Sequence, residues 1–356
     1  MKNIGLAILA VCLGTLGSVA AQAQYGDTNY GSSSLASESG GSFNSAFGQN
    51  SLYHNNVGYD NAAFGAYSLW FNTTGIENTA VGVESLQANA SGSYNSAYGS
   101  NSLVFSTGSD NTASGYYSLY NNTNGGANAA FGVYALQANA AGYSNVAVGP
   151  YSLYNNAGGS NNIGIGGLAG YNNAAGSSYN IDIGSYGSAN DNNAIRIGGS
   201  WNTSFFAAGI RGTKTGAKNA VEVMIDSNGQ LGTVNSSIRF KEDVHDMAAA
   251  SDGLMRLRPV TYRYKQPYAD GSKPIDYGLI AEEVAEVYPD LVARDEDGQI
   301  QTVQYQKLTP MLLNEVQKER NLLEQQEKTI ELLEKRLAAL EAAQPSAMAD
   351  TQLAEK

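Results

Sequence analysis

Two side chains stand where the composition of the chain changes abruptly. Ser236 and Lys241 lie in the stretch Asn235-Ser236-Ser237-Ile238-Arg239-Phe240-Lys241. A serine hydroxyl becomes a useful nucleophile only beside a base, and a lysine takes that part when desolvation leaves its amine neutral. The pair would open an acyl bond by nucleophilic attack with general-base help. Spacing alone favours a different partner: Ser237 and Lys241, at i and i+4, share a helix face, whereas Ser236 and Lys241 do not. A serine and a lysine this close also occur by chance, so the residues alone leave the choice open.

Little else in the 356 residues is equipped for chemistry. One Cys, two His and two Trp leave small room for redox or histidine-ligand metal sites, and no phosphate-binding glycine loop, zinc spacing or Ser-His-Asp pattern is present. No cofactor and no metal are expected. His245 could reach Lys241 or stand as a surface residue. Glu282, Glu283 and Glu286 lie mostly away from Ile280, Val284 and Val287 on a helical wheel and read as a solvated face. Asp295-Glu296-Asp297-Gly298 is a fragment of a calcium-loop pattern without the remaining ligands, and reads as a hairpin turn. A net charge of −12 argues against nucleic acid or an anionic membrane as partner, since those need a Lys/Arg-rich face.

The elements that must position these residues fall into two regimes. Residues 24–235 carry 14 charged side chains in 212, whereas residues 236–356 carry 37 in 121. Residues 1–23 have the basic start, apolar middle and Ala21-Gln22-Ala23 exit of a signal peptide, so export and cleavage after Ala23 are expected. The apolar run, broken by Gly14, Gly17 and Ser18, falls short of the roughly 20 residues of a spanning helix. The mature chain would then lack Cys12, the sole thiol, as suits an extracellular, cell-surface or periplasmic location. No integral span and no self-supplied barrel are expected.

From Asn44 the motif Asn-x-Ala-x-Gly-x-x-x-Leu recurs, with successive Asn positions 17, 17, 17, 16, 17, 17 and 17 residues apart up to Asn162. Disorder needs no fixed phase; here Ala, Gly and Leu return to the same slots. Each unit has room for two short strands with tight turns, and one unit cannot bury its apolar face alone, so the units must stack as a β-solenoid. The pattern resembles the head repeats of trimeric autotransporter adhesins, which implies a left-handed, β-roll-like solenoid with three chains side by side. The surface partner of the repeats stays open between a glycan and a host surface protein. Beyond them, Val221 to Ile225 and Gln230 to Val234 flank Asp226-Ser227-Asn228-Gly229, a hairpin signal.

Downstream, Ser-x-x-Arg-x-Lys is followed by Leu257-Arg258-Pro259-Val260-Thr261-Tyr262-Arg263-Tyr264, by Tyr277-Gly278-Leu279-Ile280-Ala281-Glu282-Glu283-Val284 and by Val303-Gln304-Tyr305-Gln306-Lys307-Leu308. In that order they resemble the C-terminal intramolecular chaperone domain of phage endosialidases, tailspikes and tail fibres. The resemblance implies a domain that assists trimerisation and then cuts itself off. It makes Ser236 the nucleophile, Lys241 the base, and the bond between Asn235 and Ser236 the one cut. A heptad follows, with Val316, Leu323, Ile330 and Leu337 at a and Leu312, Glu319, Gln326, Leu333 and Leu340 at d, which reads as a coiled coil.

The expected chain is therefore mostly β. It comprises a signal peptide (1–23), a linker (24–43), head-like repeats (44–170), a β-rich neck (171–235), a small α+β chaperone and autoprotease domain (236–311), a coiled coil (312–343) and a disordered tail (344–356). The expected assembly is a homotrimeric fibre or adhesin-like protein. The alternative is a non-enzymatic surface adhesin that keeps its C-terminal domain as a trimer clamp.

Overall fold

The computed structural model describes residues 26–295 and 297–343. The expected signal peptide and the expected tail lie outside these residues. The chain divides into two compact units, with the boundary between Ala208 and Gly209. Among the described residues no helix is long and apolar enough to cross a membrane.

The first unit is a β-solenoid. Eleven strands of three residues, from Thr28–Tyr30 to Ile195–Ile197, form one sheet in which each strand pairs only with its neighbours in sequence. All these pairings are parallel and in register: Ala46 lies opposite Ala63, Ala63 opposite Ala80 and Ala80 opposite Ala97. Alternation sends the middle residue of each strand inward, and these alanines are fully buried together with Leu52, Leu69, Leu86, Leu103, Leu119 and Leu136. The slot is narrow: at Gly164, which takes it in a later coil, an added Cβ would lie 2.9 Å from Leu153 Cγ.

Each strand stops at a glycine. Gly65 has φ +145°, and a Cβ there would collide with the Gly82 carbonyl of the next coil. The arc that follows differs from the two-strand expectation. It hydrogen-bonds coil to coil, as in Leu52 N–H to Ser68 O at 3.0 Å and Leu69 N–H to Ser85 O at 3.0 Å. Yet every inward leucine sits at positive φ, such as Leu69 at +49°. That left-handed kink, at roughly 1–2 kcal/mol per non-glycine residue, aims the leucine into the core and breaks strand geometry, so each coil holds one strand and one bent arc.

Two rows of buried asparagine tie the coils together. In the first, Asn61 Nδ2 donates to Gly75 O (2.9 Å) and to Asn44 Oδ1 (3.2 Å), and Asn44 Oδ1 also accepts the Asn61 N–H (3.1 Å). The second row runs through Asn55, Asn72 and Asn89, where Asn72 Nδ2 donates to Asn55 Oδ1 and to Gly75 O, both at 2.9 Å. Where the repeat shortens to 16 residues, Ser106 occupies the second-row slot, and Asn89 Oδ1 is left buried with no partner. Serine is too short to return the amide bond.

The segment expected as a linker is instead the first coil. Thr28–Tyr30 pairs with Ser45–Phe47, Gly31 and Leu35 stand 17 residues before Gly48 and Leu52, and Leu35 is buried. Asp27 and Glu38 take the two asparagine slots. They accept the Asn44 N–H (2.6 Å) and the Asn55 Nδ2–H (3.0 Å), and no coil precedes theirs among the described residues. The solenoid likewise continues into the expected neck: Ile181–Ile183 and Ile195–Ile197 add two more strands. There Asp182 replaces the inward alanine and accepts from Asn173 Nδ2 (2.7 Å), while Arg196 pairs with Asp191.

The second unit contains a short hairpin, Met224–Ile225 with Leu231–Gly232, around the Asp226 to Gly229 turn. Two further antiparallel pairs follow, Val260–Tyr262 with Asp276–Gly278 and Val292–Arg294 with Ile300–Val303. The latter pair turns through Asp295 to Gly298, where Asp295 Oδ1 accepts the Asp297 and Gln299 N–H groups. A helix, Ala281–Val287, and the start of the long helix Tyr305–Ala343 close a core of Leu254, Val284, Leu291, Val292, Val303, Leu308 and Met311. Glu283 pairs with Arg258 on its exposed face.

Two expected outcomes follow from the ladder. Asn128→Leu removes the bonds to Gly142 O, to Asn111 Oδ1 and from the Asn145 N–H, and strands buried polar partners; it lowers stability by about 3 kcal/mol or more in chemical denaturation. The second concerns the cap. Asp27 Oδ2 and Glu38 Oε2 are buried without a donor, and burial, then Asp27 beside it, pushes the Glu38 carboxyl from its ordinary 4.5 up to about 7. A folded-state pKa above the unfolded one means the folded state holds the extra proton, so the first coil is most stable below pH 4.5 as far as Glu38 is concerned. That contribution fades as pH rises to about 7. Hydrogen exchange of the Leu35 and Ser37 amides, corrected for intrinsic rates, will register the loss across that window, and Glu38→Gln will flatten it.

Candidate functional site

Ser237 has β-region backbone angles (φ −65°, ψ 141°) and caps a single 3-10 turn, Ile238–Phe240, its hydroxyl accepting from the Arg239 N–H. The Arg239 side chain reaches the same hydroxyl at 3.3 Å through Nε. Ser237 is thereby occupied as a cap and is not paired with Lys241. The 3-10 turn ends here after two hydrogen-bonded steps: the Phe240 N–H bonds back to Ser237 O and the Lys241 N–H to Ile238 O, and Lys241 itself is extended at φ −124°, ψ 139°. A longer helix would have set Lys241 beside Ser237. The extended residue instead returns its side chain past the turn, and Lys241 Nζ donates to Ser236 Oγ at 3.1 Å. The structure thus brings together Ser236 and Lys241, five residues apart.

Among the described residues no other side chain is hydrogen-bonded to the pair. His245 is exposed and stands outside this hydrogen bond. Lys241 enters none of the ion pairs among the described residues, so no carboxylate fixes its charge. Asn235, Ser236 and Lys241 are exposed. The apolar side chains around them, Val234, Ile238, Phe240 and Val244, are 60–79% exposed. Their uncovered surface is what would take water from the lysine if another chain lay on it. The open concavity lined by Tyr262, Tyr264, Lys265, Pro267, Tyr268 and Ile280 contains neither member of the pair, as suits attack on the chain's own bond. Among the described residues no cluster of three or more potential metal ligands occurs.

A second Ser-Lys contact escaped the reading of the sequence. Ser251, fully buried, donates to Glu315 and accepts from Asn314 and Lys318, and Lys318 also pairs with Asp252 at 2.6 Å and Glu315 at 2.8 Å. Asp252 and then Glu315 hold Lys318 above the usual lysine range, so it stays an ammonium and cannot take a proton. This group is a clasp that seats the long helix on the domain. Its parts lie 63–67 residues apart in sequence, and only the hydrophilic i, i+4 pair Asn314 and Lys318 hinted at it. Tyr305 adds a second tie, its hydroxyl accepting the Leu279 N–H at 2.9 Å.

No curated protein and no solved structure matches the chain. A family model does match, over residues 236–293, and its first residue is the serine of the exposed pair; by that likeness the second unit carries a domain similar to the chaperone of endosialidase, consistent with a C-terminal intramolecular chaperone.

Proposed function

We propose that this chain is an exported, homotrimeric, fibre-like protein whose C-terminal domain assists assembly and then cuts the bond between Asn235 and Ser236. The observation that carries the reading is the 3.1 Å contact of Lys241 Nζ with Ser236 Oγ at the first residue of the family match. Ser236 Oγ attacks the Asn235 carbonyl carbon while Lys241 accepts the hydroxyl proton. The Asn235 C–N bond breaks, the proton passes to the departing Ser236 amine, and the resulting ester is hydrolysed by water. Because nucleophile and scissile bond share one residue, effective concentration replaces a substrate pocket. Lys241 must be neutral to act, and burial is the available means.

Three uncovered apolar surfaces support a partner of the same sequence. One is the set around the dyad. The second is the heptad stripe of the long helix, where Leu312, Val316, Leu323, Ile330, Leu333, Leu337 and Leu340 are all exposed. The third runs along the solenoid, where the last residue of most strands points outward as Phe64, Val81, Tyr98, Phe131, Val148, Ile165 and Ile183, with Ser114 as a polar break between Tyr98 and Phe131. A strip with an apolar side chain in all but one of these coils, in register, gains burial only against an equally periodic surface. The remaining solenoid surface is where a glycan or host surface protein would be bound.

In denaturing electrophoresis the purified wild type will yield the 121-residue fragment 236–356, and Ser236→Ala and Lys241→Ala will each abolish it. An intact wild-type trimer would leave the domain as a retained clamp. Assembly and cutting are coupled: Ile330→Asp, placed on the helix stripe, will give monomers in analytical ultracentrifugation and suppress the fragment, whereas a monomer that still cuts itself would disprove the coupling.

A further inference from the structure

The solenoid carries a second periodic surface that the assembly strip does not use. In four successive coils the arc after the glycine presents tyrosines whose rings touch from coil to coil. Tyr116 meets Tyr134 edge to face at 5.7 Å, Tyr134 stacks on Tyr151 at 5.1 Å, and Tyr154 stacks on Tyr171 at 5.8 Å. Within coils, Tyr117 stacks on Tyr120 at 4.5 Å and Tyr151 lies tilted 5.6 Å from Tyr154. The rings thus form one continuous field of seven tyrosines from Tyr116 to Tyr171. Tyr116 and Tyr151 are exposed and the others half-buried.

Three features decide what such a field can hold. No charged residue and no histidine occurs between Asp110 and Asp182, so nothing there pairs with a carboxylate, phosphate or ammonium. Half-buried amides at Asn121 and Gln137 border the rings, and among the described residues neither side chain is engaged in a hydrogen bond, which leaves both donors and acceptors to spare. Burial, followed by neighbouring phenols, raises the pKa of Tyr116 and Tyr134, so their hydroxyls stay protonated donors. Ring surface for C–H faces, with hydroxyls and amides at its border and no charge, is the chemistry that receives a neutral sugar. The strip proposed to face other copies lies on the strand, before the glycine, and is Phe, Val and Ile apart from Tyr98; the seven tyrosines of the field follow the glycine, on the arc.

We propose that the tyrosine field of residues 116–171 binds an uncharged polysaccharide, laid along the solenoid axis so that successive sugar rings meet successive coils. This assignment deepens the ligand part of the proposed function and is independent of the cut at Ser236. Strands in register about 4.8 Å apart repeat the same side-chain environment along the axis, so affinity grows with oligomer length until the four coils are spanned. A trimer multiplies it by presenting three fields.

The full-length protein will be titrated calorimetrically with gluco-, manno- and N-acetylglucosamine oligomers of two to eight units, and with sialylated and uronic-acid oligomers. At least one neutral series will bind, with affinity rising with length and unchanged between low and high salt, and charged oligomers will bind more weakly. Tyr134→Ala and Tyr151→Ala will each weaken binding by about tenfold or more, while Tyr151→Phe, which keeps the ring, will lose less. Circular dichroism, oligomeric state and the 236–356 fragment will be unchanged in these variants, which separates the site from assembly. No neutral oligomer binding to a correctly assembled trimer, preference for charged oligomers, or binding indifferent to both alanine substitutions would each overturn the assignment and leave the chaperone reading standing.

Discussion

The solenoid depends on one interaction, the buried asparagine amide that bonds to the coil on each side. A unit this small cannot hide much apolar surface: its inward side chains are an alanine, a leucine, a serine and two asparagines. Apolar burial of that size is modest, and the polar groups inside would be costly if left unpaired. The amide solves both problems because it is donor and acceptor at once. Asn128 satisfies the Asn145 N–H above it while its own Nδ2 reaches Gly142 O and Asn111 Oδ1. The same requirement explains the spacing, since a ladder tolerates no drift in phase, and the orphaned Asn89 Oδ1 marks the single shortened repeat.

The ladder changes at both ends of the described coils, and charged side chains take its place there. At the first described coil the ladder positions are Asp27 and Glu38, which accept from Asn44 and Asn55 of the next coil. At the far end Asp182 and the Asp191–Arg196 pair take over. Between Asp110 and Asp182 the chain carries no charge, which keeps the outer faces free for rings and amides. The second unit works by opposite means: a small apolar core, ion pairs such as Lys318 with Asp252 and Glu315, and a long charged helix. The two compositional regimes meet near the Ser236–Lys241 pair, and the chemistry proposed for it would need dehydration that exposed Val234, Ile238, Phe240 and Val244 offer only when covered.

Much of the core was legible because its slots recur. Ala46, Leu52 and Gly48 announce themselves by phase, and the strands and buried leucines lie on them. The first coil was missed because Asp27, Asn29 and Glu38 replace Asn, Ala and Asn there, which breaks the recurring motif. The second asparagine row was present in the sequence as Asn-x-x-Gly, but an asparagine before a glycine reads first as a turn. The expected second strand failed because nothing local reveals that a leucine will adopt positive φ; intercoil packing pays for that strain.

At the site the amino-acid sequence determined which groups were available: a serine, its neighbour, and a lysine at the edge of two compositional regimes. Helix spacing pointed to Ser237, and the family resemblance to Ser236. Which serine the lysine meets was decided by the folded structure, because the segment between them is one short 3-10 turn that consumes Ser237 as its cap and leaves Lys241 extended. The sequence by itself determined the repeat, its phase and its inward slots, since stacking identical units demands identical slots. Only the folded chain decided the strand count per coil, the caps and the tyrosine field, because each depends on what the neighbouring coil presents across a gap that local spacing does not encode.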